Sequence, residues 1–213
     1  MKYKNIFFDL DGTVTDSGPG IVKSVQYALR CYGIDEPDLD KLNSFVGPPL
    51  YKSFMDYLDC SEEEAKEAVE CYREYYAENG LYDNKLYDGI ESLLYNLKEK
   101  GYKIILASSK PRIYVKRILS YFRIMRYFDY VEGSELDSQR TDKGELLAYV
   151  FKKWDLRPEE SVMIGDRKYD IEGAKANGMD SIAVGYGYGS VDELSAAGPT
   201  LFFPTIEELK NFF

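Results

Sequence analysis

The chain has 213 residues, 45% of them hydrophobic and 30% charged, which suits a globular protein of one large domain or of a core domain with a smaller insert. Its formal charge of -10 argues against a nucleic-acid polymer as the main partner, and no run approaches the roughly 18 apolar residues a membrane span needs. It has no histidine, which excludes Ser-His-Asp and Cys-His catalysis, His-held zinc and phosphohistidine intermediates.

The first expected strand is Asn5–Phe8. It starts almost at once, which reads as a chain without a signal peptide. It runs into Asp9-Leu10-Asp11-Gly12-Thr13, where Asp9 and Asp11 share a strand face because side chains alternate with period two. Two adjacent carboxylates repel unless a cation or a shared proton relieves them. About eighty residues without a convincing strand follow. Ile21, Val25, Ala28, Leu29 and Tyr32 recur at helical spacing, as do Ala65, Ala68, Val69, Tyr72 and Tyr76. Ser61 and Glu64 form a capping-box pattern at the start of the second group. Residues 17–83 therefore read as a helical module inserted into an α/β core of residues 1–16 and 84–213. Gly18, Pro19 and Gly20 stand at its start. Cys31, Cys60 and Cys71 lack C-x-x-C spacing, which fits a reduced, cytoplasmic setting.

Strands and helices then alternate. The helical stretches are Ile90–Lys100, Arg112–Tyr121, Gly144–Trp154 and Ile171–Asn177; the strands are Lys103–Leu106, Phe128–Val131, Val162–Ile164, Ser181–Val184 and Leu201–Phe203. This order predicts a parallel sheet covered on both faces. Ligands of open α/β sheets bind beyond the carboxyl ends of the strands. Polar groups stand at three such ends: Asp9 to Thr13, Ser108-Ser109-Lys110, and Gly165-Asp166 with Asp170; Lys143, opening a helix, can bring a cation to the same edge. Each has an ordinary structural reading as turn, cap or solvated loop, and their convergence is what points to a site. The Gly185-Tyr186-Gly187-Tyr188-Gly189 stretch fits neither a dinucleotide fingerprint nor a Walker loop. Ser190 and Glu193 cap the helix after it.

Asp9-x-Asp11-Gly12-Thr13, Ser108, Lys143 and Gly165-Asp166-x-x-x-Asp170, in this order, resemble the four motifs of the haloacid dehalogenase-like hydrolases over essentially the whole chain. The resemblance implies a Rossmann-like core with a helical cap between the first two motifs. It implies Asp9 as nucleophile toward phosphorus, Asp11 as general acid and base, and Ser108 and Lys143 as catalytic groups on the phosphoryl oxygens. Mg²⁺ would be held by Asp9, the backbone of Asp11, Asp166 and Asp170, and substrate by Gly12, Thr13, Ser108, Ser109, Lys143 and the cap-loop Gly47. Asp11 points to phosphoryl transfer rather than dehalogenation. Val46-Gly47-Pro48-Pro49-Leu50 lacks the cation that sugar-phosphate mutases usually carry there. The chain most resembles the 5'-nucleotidase-like and phosphoglycolate phosphatase-like group. A small phosphate ester is the expected partner, nucleotide first, then phosphoglycolate or pyrophosphate, with no membrane partner and a monomer or weak homodimer. Phe45, Tyr51, Phe54 and Tyr57 are available to stack on a base or to fill the cap core.

Overall fold

A computed structural model describes residues 2–137 and 139–213. In chain order its elements are β1 (Asn5–Phe8), β2 (Thr15–Asp16), α1 (Gly18–Cys31), α2 (Leu50–Leu58), α3 (Glu62–Tyr75), β3 (Lys85–Leu86), α4 (Ile90–Glu99) and β4 (Lys103–Pro111). There follow α5 (Arg112–Tyr121), β5 (Tyr130–Ser134), α6 (Lys143–Trp154), β6 (Ser161–Gly165), α7 (Lys168–Ala176), β7 (Asp180–Val184), α8 (Val191–Ala197), β8 (Leu201–Phe203) and α9 (Ile206–Phe212). They fall into two compact units, one made of the chain up to Thr15 with Leu86–Phe213, the other of Asp16–Lys85.

The first unit is built on a six-stranded sheet in the order β5-β4-β1-β6-β7-β8. All of its pairings are parallel. The central strands β1, β6 and β7 are buried on both faces, as a sheet covered on both sides requires. Phe7 lies beside Ile105 and Met163 and packs with them against Leu146, Val150 and Phe151 of α6 and Ala174 of α7. Ile6 and Phe8 face the other way and are also buried. Because β1 lies between β4 and β6, the chain runs outward from β1 in both directions. That reversal opens a crevice at the carboxyl ends of these three strands.

Several boundaries differ from the sequence reading, most of them by one residue. β4 extends to Pro111 because Ala107 and Ser108 continue to pair with Glu132 and Gly133, with a register shift before Pro111. Ser108 and Ser109 are thus strand residues and not a helix cap. β5 begins at Tyr130, and α7 starts at Lys168, three residues before the first apolar position that marked it.

The second unit is helical. Val25, Ala28 and Leu29 of α1 and Ala65, Ala68, Val69 and Tyr72 of α3 are buried, and Ser61 with Glu64 makes the expected capping box. Phe45 and Phe54 are buried edge to face at 5.0 Å, and Tyr57 packs on Phe45 at 5.6 Å while its hydroxyl donates to Glu36. Phe45 and Phe54 are core and present no open face to a base, whereas Tyr57 is half-buried. Residues 18–20 form the first turn of α1. A Cβ on Gly20 would stand 1.9 Å from the carbonyl oxygen of Gly80, so a side chain cannot fit where α1 meets the turn at Tyr76–Gly80.

Candidate active site

The chemistry-bearing residues of the α/β unit meet where β1, β4 and β6 end. Asp9 follows β1, its backbone N–H donating to the Ile164 carbonyl of β6. Asp166 follows β6. Asp170 sits in the first turn of α7, where its Oδ2 accepts the N–H of Arg167 at 3.2 Å. Carboxylate oxygens of Asp9, Asp166 and Asp170 lie within 4.8 Å of one another, and all three residues are buried.

Lys143 reaches this cluster from the first position of α6. Its Nζ lies 2.9 Å from Asp9 Oδ1 and 2.8 Å from Asp170 Oδ1, and it donates to the Ala107 carbonyl at 3.0 Å. Burial alone would depress its pKa; the charges of Asp170 and Asp9 more than offset this and raise it. One ammonium among three buried carboxylates leaves negative charge uncompensated. Burial, opposed by Lys143 and reinforced by the charges of Asp170 and Asp11, pushes Asp9 up to about 6. Burial and the charges of Asp170 and Asp9 push Asp166 up to about 8, against hydrogen bonds from Tyr188 N–H and Thr13. Hard carboxylate oxygens, close together and short of positive charge, fit a divalent cation such as Mg²⁺.

Asp11 stands apart from this trio. Its Oδ1 accepts from Lys110 Nζ at 2.8 Å, and both side chains are nearly buried. The adjacent carboxylates that looked as though they needed one shared cation are therefore each met by a lysine of their own, Asp9 by Lys143 and Asp11 by Lys110.

The turn between them is tightly made. Gly12 has φ +83°, and its N–H donates to the Thr15 carbonyl; the Thr13 N–H donates to that of Leu10. The Thr13 hydroxyl donates to Asp166 Oδ1 at 2.9 Å. Gly12 and Thr13, expected to touch substrate, have these groups engaged in shaping the turn and holding Asp166. Ser108 is buried and its Oγ accepts the Lys110 N–H at 3.3 Å, while the Ser109 carbonyl accepts from Ser134 Oγ at 2.7 Å. Gly47 belongs to the helical unit, at φ +107°.

Three contributors were given no role at the site by the sequence. Lys110 is one. The second is the loop after β7, where Tyr188 N–H donates to Asp166 Oδ2 at 2.8 Å and the Tyr186 hydroxyl donates to the Thr13 carbonyl at 3.0 Å. A Cβ on Gly187 would fall 2.3 Å from Asp166 Cβ, and one on Gly189 would fall 1.9 Å from its carbonyl oxygen. The alternating glycines of this loop are the legible signal, since glycine allows such close backbone approach. The third is Glu193 of α8, which accepts from Arg167 Nε and from the Lys168 N–H, both at 2.9 Å, and so steadies the start of the helix bearing Asp170.

Comparison with known proteins agrees with this geometry. The family model described as haloacid dehalogenase-like hydrolase matches residues 6–184. A 5'-nucleotidase of Pseudomonas aeruginosa is 46% identical over 99% of this chain and 96% of its own length. A protein of Mycobacterium tuberculosis named tyrosine-protein kinase PtkA is 38% identical over 97% of this chain and 71% of its own. The crystal structure of a predicted phosphatase from Clostridium acetobutylicum superposes with a TM-score of 0.97 at 43% identity, covering 100% of this chain and 98% of that one. Among the described residues, no helix is long and apolar enough to cross a membrane.

Proposed function

Since the chain belongs to the haloacid dehalogenase-like hydrolases and is a phosphatase of that family, we propose that it hydrolyses a small phosphate monoester through an aspartyl-phosphate on Asp9, most readily a nucleoside 5'-monophosphate. The observation that carries this reading is the burial of Asp9 against Asp166, Asp170 and Lys143 at one sheet edge.

In this reading an Asp9 carboxylate oxygen attacks phosphorus while the ester oxygen departs. Asp11 gives that oxygen a proton, and Lys110 balances the charge Asp11 then regains. Asp11 next takes a proton from the water that attacks the aspartyl-phosphate, which releases phosphate and restores Asp9. Ser108, Ser109 and Lys143 hold the phosphoryl oxygens. Thr13 and the N–H of Tyr188 keep Asp166 in place. Mg²⁺, held by Asp9, the Asp11 backbone carbonyl and Asp166, with Asp170 in or just behind its shell, would supply positive charge to those oxygens. Most of the catalysis is then positioning and charge stabilisation. The division of the chain into a hydrolase core and a helical cap over residues 17–83 is part of the same reading.

The nucleotide preference is supported by the likeness to the P. aeruginosa protein; the buried rings of the helical unit lend it no further support. Phosphate release should be measured over nucleoside monophosphates, phosphoglycolate, pyrophosphate and sugar phosphates, with Mg²⁺ and with EDTA. The reading expects Mg²⁺-dependent release, fastest for a nucleotide, and loss of at least about 10³-fold in the folded Asp9→Asn protein. Preference for phosphoglycolate or pyrophosphate would move the substrate and keep the mechanism. Isomerisation of a sugar phosphate without net phosphate release would make the protein a mutase. The likeness to PtkA adds one arm, transfer from ATP to a tyrosine peptide, which is expected to be absent.

A further inference from the structure

The thiols of the helical unit play no part in the chemistry above, yet two of them face each other. α1 and α3 pack together, and the rings of Tyr27 and Tyr75 stack between them at 5.3 Å with planes 28° apart. This pair sets an antiparallel register. One helical step forward from Tyr27 reaches Cys31, and the same step back from Tyr75 reaches Cys71, because residues four apart lie on one helix face. The Cys31 thiol stands close enough to Cys71 to raise the pKa of the Cys71 thiol. Cys31 is exposed and Cys71 half-buried. Cys31 is also the last residue of α1, with Gly33 at φ +74° just beyond. Cys60 is placed differently: its thiol faces the Phe54 carbonyl at 3.8 Å.

We propose that Cys31 and Cys71 are a peroxide-responsive pair whose disulfide staples α1 to α3. The exposed Cys31 thiol reacts first with hydrogen peroxide, giving a sulfenic acid and one water. The Cys71 sulfur then attacks the Cys31 sulfur and expels the hydroxyl as a second water. Two thiols lose two electrons and two protons, and one peroxide is reduced to two waters. Burial, the Cys31 thiol and nearby Glu74 and Glu67 push Cys71 up to about 11, so the first reaction with peroxide falls to Cys31.

The test treats the full-length protein with hydrogen peroxide and counts free thiols, with intact mass and a non-reducing peptide map. Reactive thiols should fall from three to one, with loss of two hydrogens and a peptide linking Cys31 to Cys71. The Tm should rise and return on reduction. Cys60→Ser should still form the link, whereas Cys31→Ser and Cys71→Ser should not. Three thiols still reactive, a link through Cys60, a disulfide between two molecules, or further oxidation of Cys31 without a link would each overturn the proposal. A link formed with no rise in Tm would overturn the staple. No outcome depends on phosphatase activity, so this result and the function above stand or fall separately.

Discussion

Lys110 Nζ stands 2.8 Å from Asp11 Oδ1, with only 7% and 12% of the two side chains exposed. A carboxylate so sheltered depends on its partner. Replacing Lys110 by Met should therefore destabilise the protein by about 2–4 kcal/mol, as for a buried ion pair that loses one member. The double variant with Asp11→Asn should recover most of that loss. Urea denaturation of the two single variants and the double variant gives the coupling; additive losses would show that the pair contributes nothing as a pair.

Asp166 and Asp9, raised to about 8 and about 6, predict how the metal-free protein responds to pH. Ordinary carboxyls in the unfolded chain titrate near 4. Between that value and about 8 the folded state holds more protons, so the stability these groups contribute is lost as pH rises through the window. In EDTA the Tm should fall from pH 5 to pH 8.5, and Asp166→Asn should flatten the slope. Mg²⁺ should raise the Tm more at pH 8 than at pH 5.5, because it competes with those protons. A Mg²⁺ effect larger at the acid end would contradict a carboxylate site.

Gly187→Ala tests the loop after β7. Its methyl group would meet Asp166 at 2.3 Å, so a loss of about 1–3 kcal/mol is expected, with weaker Mg²⁺ dependence of turnover. Gly33→Ala, with open space around it but φ +74°, should cost about 1 kcal/mol and leave the Mg²⁺ dependence unchanged. Equal Mg²⁺ curves for both variants would show that the loop does not hold Asp166 in its working position.

The buried ring of Phe54 gives a prediction about specificity. Phe54→Leu should lower stability by about 1 kcal/mol and leave the order of preference among phosphate esters unchanged. A selective rise in KM for nucleotides would restore the base-stacking role.

Where local pattern and global fold agree, the sequence was legible. Six apolar runs became the six strands of the parallel sheet, and Asp9, Asp166, Asp170 and Lys143 converged because strand ends and the first turns of the following helices meet at one sheet edge. The misses share a cause. Lys110 looked like any lysine after a strand, and its partner lies 99 residues away. The alternating glycines resembled a failed phosphate loop, because close approach to Asp166 leaves no mark in neighbouring residues. Phe45 and Phe54, more readily core than stacking surface, still left both readings open, because composition does not say which side of a helix another helix will cover.

The hydrogen bond from the Tyr188 amide to Asp166 makes that amide a reporter. Whatever alters the electron density on the carboxylate, whether protonation or an arriving ion, also alters the shielding of this one backbone proton. A single cross-peak in a ¹H–¹⁵N spectrum should therefore follow occupancy during a titration, with no substrate, label or turnover required.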